Sequence, residues 1–468
     1  MEGDQAGADR WRPRYHVTAD RNWLNDPNGP IQLDGTYHLF YQANPAAPSW
    51  GRMEWGHVSS ADLVNWTRHP TALSPTPGGP DEGGCWSGCA RVVDGHPALY
   101  YTGVSGVDDD RAESVCRAWG SDDLTYWVKD PANPLIPGPP PELHSQLHRD
   151  PFVWRDGDGW HLLVASGTST GERHGRVLRY DSDDATSWRY AGIFFEAPRW
   201  HGGLDLGTQW ECPQLVLEGG SAVLLVSCLT DGREQPLMHT AWFAGSILDG
   251  RLEGAVGGVV DHGDSLYAAA VCRDEAGRVL LWGWAQDPVG PDQTRSHVGA
   301  LSLPRHLTVV QGRPQFRLAE GLERLRAEPL LPTATEPEHA FPARAQMELV
   351  AVFGGPDGQA CWSIGEEHGE GVHAHADLTA GRVEVTVTDA AGRKRLSAAD
   401  LPAHREHSLR VFVDGSLIEV FVDGESAITT RAYPAAGAFE AARFGTTGAV
   451  RPWAVQAWAL ANDVIGVN

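Results

Sequence analysis

The sequence predicts an all-β chain: a five-bladed β-propeller followed by a C-terminal β-sandwich. Three observations predict it. The 468 residues include 54 glycines and 32 prolines, which resist the interior of regular helices. Three segments repeat, Ser59 to Trp66, Gly120 to Trp127 and Asp181 to Trp188, and their tryptophans fall 61 residues apart twice, the mark of a stacked or radial architecture. Five apolar or alternating runs each follow a glycine-containing turn, which supplies the positive φ that a tight hairpin needs.

In chain order these runs are Tyr37 to Tyr41 after Asp34-Gly35, Pro97 to Thr102 after Asp94-Gly95, and Trp160 to Ala165 after Gly157-Asp158-Gly159. Ala222 to Ser227 after Gly219-Gly220 and Val279 to Trp284 after Ala276-Gly277 complete the set. A period near 60 residues leaves room for about four strands per unit, which is a propeller blade. An irregular sandwich with accidental periodicity is the competing reading, and the agreement of register with turn chemistry argues against it. The propeller is expected over 1–318. A linker follows over 319–337, with a short helix within Glu320 to Arg326 and punctuation by Pro329, Pro332 and Pro337. A sandwich is expected over 338–468, from the alternating runs Val383 to Thr388, Leu409 to Val413 and Ile418 to Val422, the last after Asp414-Gly415-Ser416.

Composition excludes several functions. A net charge of −24 argues against a nucleic-acid backbone or an anionic membrane as partner. Lys129 and Lys394 are the only lysines, so no phosphate-cradling Gly-Lys-Ser/Thr loop exists, and no GxGxxG follows a strand. No run approaches the ~20 apolar residues of a membrane span. The acidic start Met1-Glu2-Gly3-Asp4-Gln5 lacks the apolar stretch of a secretory signal, and the seven scattered cysteines favour reduced thiols, so a soluble cytoplasmic protein is expected. His368, His373 and His375 invite a metal, but their spacing lacks a further ligand; a strand with exposed histidines is the expectation, and no metal or cofactor is assigned. Tryptophan outnumbers phenylalanine and tyrosine, 19 against 12 and 10, which suggests flat surfaces suited to a sugar.

In a propeller, the innermost strand of every blade faces the central channel, so equivalent positions converge. Just before the five hairpins lie Trp23 to Gly29, Trp86-Ser87-Gly88, Arg149-Asp150-Pro151, Trp210-Glu211-Cys212-Pro213 and Asp264 to Ala268. Asp26 and Ser87 are 61 apart, as are Asp150 and Glu211, which sends three carboxylates into one pocket. Clustered acids split their proton affinities, and two carboxyl groups with separated values serve glycoside hydrolysis. Asp26, among the donors of Asn25 and Asn28, is expected to stay ionised as nucleophile. Glu211, beside Trp210 and facing other acids, is expected to be raised as general acid/base. Each motif alone reads as a turn, a surface ion pair or a strand end. Each of Trp50, Trp86, Trp210, Trp282 and Trp284 alone reads as core. Shared register is what joins them.

These motifs resemble glycoside hydrolase family 32. Trp23 to Pro30 is similar to its WMNDPNGP motif with Leu24 for Met, Arg149 to Pro151 to its RDP, and Trp210 to Pro213 to its WECP. Phe40-Tyr41-Gln42, Trp55-Gly56-His57, Leu303-Pro304-Arg305 and the D-x-S-x-x-E-V-F pattern of Asp414 to Phe421 extend the resemblance over most of the chain. It implies a retaining double displacement on a terminal β-fructofuranoside such as sucrose or a short fructo-oligosaccharide, with no cofactor. Asp26 would then be nucleophile, Glu211 acid/base and Asp150 transition-state stabiliser. Asn25, Gln42, Trp50, Trp86, Ser87, Arg149 and Trp284 would line the fructose pocket. Cys89, Gln214 and Gly415 depart from the family pattern. Fructan hydrolysis, fructosyl transfer, a phosphorylated disaccharide and a catalytically silent lectin are the alternatives.

Overall fold

The computed structural model describes residues 11–106, 110–143, 145, 147–157, 159–168, 173–230, 237–287, 297–365, 370–433, 439–461 and 465–467. His368 and the N-terminal residues 1–10 lie outside them. The described residues are nearly all β, with no α-helix and only short 3-10 turns such as Leu322–Leu325.

Up to Leu318 the strands form five antiparallel sheets of four consecutive main strands, apart from the two-strand pair Trp200–His201 and Leu204–Asp205. Their opening strands are Asn22–Leu33, Gly84–Val93, Arg149–Asp156, Gln209–Glu218 and Leu266–Arg273. Each opening strand packs against the next, and the last packs against the first, closing a ring. Two short segments add to the first sheet in parallel: His297–Val298 beside its opening strand, and Ile465–Val467 beside Trp66–Leu73.

The 61-residue repeat has a local cause. Asp62, Asp123 and Asp184 each accept a hydrogen bond from the serine two residues earlier and from a backbone amide two residues later. Leu63, Leu124 and Ala185, one residue on, all have φ between 55° and 64°. This serine-aspartate turn leads into the fourth strand of its sheet. Trp66 and Trp127 open that strand, and Trp188 immediately precedes Arg189–Glu196. These tryptophans therefore belong to the scaffold.

Two six-stranded sheets follow, sharing one core that includes Met347, Leu349, Trp362, Ile364, Val411 and Val420. The expected hairpin is present: His407–Asp414 pairs with Leu417–Val422 across Gly415, whose φ of 58° a glycine adopts freely. His373 and His375 lie half-buried on Gly371–Asp377, rather than exposed, because they face the neighbouring strand where Cys361 Sγ meets His375 Nδ1 at 3.2 Å. The linker expected over 319–337 is mostly structure. Arg326–Ala334 is a strand paired with Arg451–Leu460. Pro329 and Pro332 mislead because this strand lies at a sheet edge, where a missing N–H breaks no ladder.

The two regions are joined by buried charge. The amides of Arg14, Tyr15 and His16 donate to the Asp414 carboxylate, and the His16 ring bridges Asp414 at 2.8 Å and Glu419 at 3.0 Å. Arg305 reaches Asp261 at 2.8 Å and Glu419 at 2.7 Å.

Candidate active site

All five opening strands break register at the same level. The breaks fall between Leu24 and Pro27, Trp86 and Gly88, Glu211 and Gln214, and Tyr267 and Ala270, while in the third strand Arg149 pairs Ala165 and Phe152 pairs Leu163. A bulge inserts a residue and re-aims the side chains around it, so two successive residues can serve one site. Asp150, Cys212 and Ala268 take left-handed φ values of 62°, 49° and 51°, which cost a non-glycine residue about 1–2 kcal/mol each. Side chains of the preceding sheet hold these residues by their amides. The Asp150 N–H donates to Thr102 Oγ1 at 2.6 Å, the Cys212 N–H to Asp150 Oδ2 at 2.8 Å, and the Ala268 N–H to Ser227 Oγ at 3.0 Å.

Strand pairing sets the equivalence of Asp150 and Glu211 differently from the 61-residue count. Counting 61 residues equates Asp150 with Glu211, yet the residue at the Asp150 position of the fourth sheet is Cys212, and Glu211 corresponds to Arg149. The carboxylates still converge, because side chains on both sides of a bulge reach the same cavity. Asp26 and Ser87 do correspond, and Ser87 Oγ donates to Asp26 Oδ2 at 2.6 Å.

The cavity, of about 370 Å³, is walled by nine of the ten residues singled out from sequence: Asn25, Asp26, Gln42, Trp50, Trp86, Arg149, Asp150, Glu211 and Trp284. Ser87 stands behind Asp26, where it also accepts a hydrogen bond from Gln42 Nε2. Asp26 further accepts from Asn25 Nδ2 at 3.0 Å and Gln42 Nε2 at 3.4 Å. Cys212 Sγ lies 3.5 Å from Asp26 Oδ2 and 3.6 Å from Asp150 Oδ2, so one thiol touches both carboxylates. Glu211 accepts from Arg149 Nη1 at 2.9 Å and from the Tyr267 hydroxyl at 2.8 Å. The Trp86 ring lies 5.2 Å from the Arg149 guanidinium, and Trp50, half exposed at the mouth, meets Trp86 edge-on at 5.3 Å.

Burial pushes the proton affinity of all three carboxyls up. For Asp150 the rise is the most pronounced, with the charge of Glu211 adding to burial. Glu211 is raised by burial and the charge of Asp26, against the pull of Arg149 and Tyr267. Asp26 is raised as well, because burial outweighs the donors Ser87, Asn25 and Cys212. Asn28 is not among those donors; its Oδ1 accepts from the Gly88 amide at 3.4 Å.

Four further wall residues escaped the sequence reading: Trp23, Arg111, Leu237 and Tyr267. Tyr267 sits in the fifth strand at the register of Glu211, pairing Trp284 as Glu211 pairs Ser227, but a 61-residue count from Glu211 passes it by. Trp23 donates from its indole to Asn25 Oδ1 at 2.8 Å, fixing that side chain. Among the described residues, no group of three or more His, Cys, Asp or Glu is arranged to hold a metal ion.

Three carboxylates from separate sheets, Asp150 buried and Asp26 and Glu211 half-buried, with an arginine and tryptophan walls around a sugar-sized cavity, define a site of the glycosidase class. Residues 16–319 match the N-terminal domain, and residues 373–459 the C-terminal domain, of glycosyl hydrolases family 32. The chain belongs to this family and is a glycoside hydrolase of the β-fructofuranosidase type. It is 29% identical to a raffinose invertase of Escherichia coli, over 94% of this chain and 93% of the relative. A sucrose-6-phosphate hydrolase of Klebsiella pneumoniae is 32% identical over 93% of this chain and 91% of its own length. Among solved structures, the Bombyx mori GH32 β-fructofuranosidase BmSUC1 superposes with a TM-score of 0.82 at 27% identity, covering 98% of this chain and 95% of its own.

Proposed function

We propose that the protein releases terminal β-fructofuranosyl units from sucrose and short fructo-oligosaccharides with retention of configuration. The observation that carries this reading is the convergence of Asp26, Asp150 and Glu211 on one aromatic-walled cavity. Asp26, with Ser87, Asn25, Gln42 and Cys212 around its oxygens, attacks the anomeric carbon of the fructosyl unit as a carboxylate. Glu211, raised by burial, donates its proton to the departing glycosidic oxygen and then takes one from water, which breaks the fructosyl–Asp26 ester. Asp150 and Arg149 hold fructosyl hydroxyls, and Trp86 and Trp284 flank the ring.

We read the five sheets as the blades of a five-bladed β-propeller catalytic domain over 1–318. A β-sandwich domain follows from Arg326, and Ile465–Val467 returns to the first blade. Seven free thiols fit a reducing, cytoplasmic setting. A phosphorylated disaccharide is the second reading, favoured by the Arg111 guanidinium on the cavity wall, stacked 5.5 Å from the Trp86 ring.

A panel of sucrose, sucrose 6-phosphate, raffinose, kestose, inulin and levan, with free fructose and glucose both quantified, tests the assignment. Equal release of both sugars from sucrose is expected. Glucose well in excess of fructose marks a transferase, a strong preference for sucrose 6-phosphate marks the second reading, and no fructose from any member defeats the proposal.

A further inference from the structure

Glu113 is a buried acid outside the cavity wall. It lies on Ala112–Gly120, the third strand of the second sheet, and is 1% exposed. Arg149 Nε and Nη2 donate to its two oxygens at 2.9 and 2.7 Å, and the His148 amide donates to it at 2.9 Å. The remaining terminal nitrogen, Nη1, donates to Glu211. One guanidinium thus spans a carboxylate behind the cavity and the carboxylate within it.

We infer that Glu113 is a positioning residue of the reaction: it fixes the Arg149 fork on Glu211 and takes up part of its positive charge, so that Glu211 keeps its proton for the leaving oxygen. This rests on Glu211 being the acid/base. A bare guanidinium in hydrogen-bond contact strongly favours an ionised carboxylate. Sharing it with a second carboxylate weakens that pull on Glu211, while the two-pronged contact holds the fork in place.

The other groups around this chain leave the sign unchanged. Glu211 also faces Asp26, Asp150 and the Tyr267 hydroxyl. Arg149 faces Asp150 as well, and Glu113 faces a second cation, Arg111, at 3.4 Å. The His148 ring, held neutral by burial with its pKa lowered to about 3, bonds to the Tyr180 hydroxyl. Removing the negative charge at Glu113 leaves Arg149 and Arg111 uncompensated on that side, so Glu211 gives up its proton at lower pH.

The test is the pH dependence of kcat/KM for fructose release by the wild type, Glu113→Gln and Glu113→Asp, with folding checked by circular dichroism. Glu113→Gln keeps the shape and loses the charge, so its alkaline limb is expected to move down by about 1 pH unit or more. Glu113→Asp keeps the charge and is expected to hold the limb near the wild-type position. Arg149→Gln, which removes the cation, must move the limb the opposite way, and it serves if Glu113→Gln does not fold. A folded Glu113→Gln with an unmoved limb overturns the inference, as does an Asp variant that shifts as far as Gln, or an Arg149→Gln limb that does not rise. Glu211→Gln, run alongside, keeps the two claims apart: fructose release by that variant defeats the acid/base reading itself, whereas an unmoved limb defeats only the role of Glu113.

Discussion

Ser87→Ala isolates the environment of the nucleophile, because Ser87 touches Asp26 from behind and does not wall the cavity. Its hydroxyl donates to Asp26 Oδ2 at 2.6 Å, and it is only 2% exposed. A hydrogen bond to a charged group contributes about 1.5–3 kcal/mol, and one pKa unit corresponds to about 1.4 kcal/mol, so its loss raises the Asp26 carboxyl by roughly 1–2 units. Compensation is close at hand. Gln42 Nε2, released from Ser87, already lies 3.4 Å from the same oxygen and can tighten, which places the expected shift at the lower end, about 1 unit. The sign follows from the role: the nucleophile acts ionised, so a raised pKa moves the acid limb of kcat/KM to higher pH and leaves the alkaline limb alone. The assay is initial-rate fructose release from sucrose across the acid range, with the variant's melting temperature as a control for folding. A folded Ser87→Ala enzyme whose acid limb coincides with wild type refutes the reasoning, as does a shift confined to the alkaline limb.

Trp50→Ala is expected to leave stability within about 0.5 kcal/mol, since 52% of the residue is already exposed, while raising KM for sucrose; thermal melts and saturation kinetics check both. Glu419→Gln strips one carboxylate from the buried network of Arg305, His16 and Thr429 and is expected to cost about 3–5 kcal/mol, read by urea unfolding at neutral pH. The wild-type dependence on pH follows from the same network. Glu419 is buried, yet His16 and Arg305 hold its carboxyl down at about 2, so its contribution is complete above the unfolded value near ~4.3 and is lost as pH falls toward 2. His16 is desolvated, but Asp414 and Glu419 raise its pKa, so its contribution is complete below ~6.5 and fades as pH rises through the folded value. A Glu419→Gln protein as stable as wild type would remove this explanation of how the two regions hold together.

Much of the architecture was legible because turn chemistry is local. The serine-aspartate turns before Trp66, Trp127 and Trp188 and the glycine turns before each hairpin fix strand ends without reference to distant residues. Asp26, Asp150 and Glu211 could be sent to one cavity because opening strands share a register, whereas Gln42, Trp50 and Trp284 lie off those strands and were reached only through the family resemblance. What failed was the assumption that register means equal spacing. Asp150 and Cys212, not Asp150 and Glu211, are the equivalent pair, because the third and fourth opening strands stand one residue further apart than the 61-residue repeat of the turns. Pro329 and Pro332 read as linker because an edge strand tolerates proline, and edge position is a property of the assembled sheet. The rise in proton affinity of Asp26 comes from burial, which depends on how the ring closes around it and leaves no trace in the neighbouring sequence. Glu113 could not be placed on the third strand of its sheet by the opening-strand rule; its only local trace is a lone acid beside the buried run Ser114 to Ala118.

The central claim is that Asp26 becomes bonded to fructose in the course of turnover. The most direct test is to mix the enzyme with excess sucrose, quench in acid within the steady state, digest, and weigh the peptides. The account predicts the added mass of one fructosyl residue on the peptide carrying Asp26, its absence from an Asp26→Ala enzyme, and first-formed fructose of retained configuration. Label on the Glu211 peptide instead, or fructose released with inverted configuration and no labelled peptide, would contradict it.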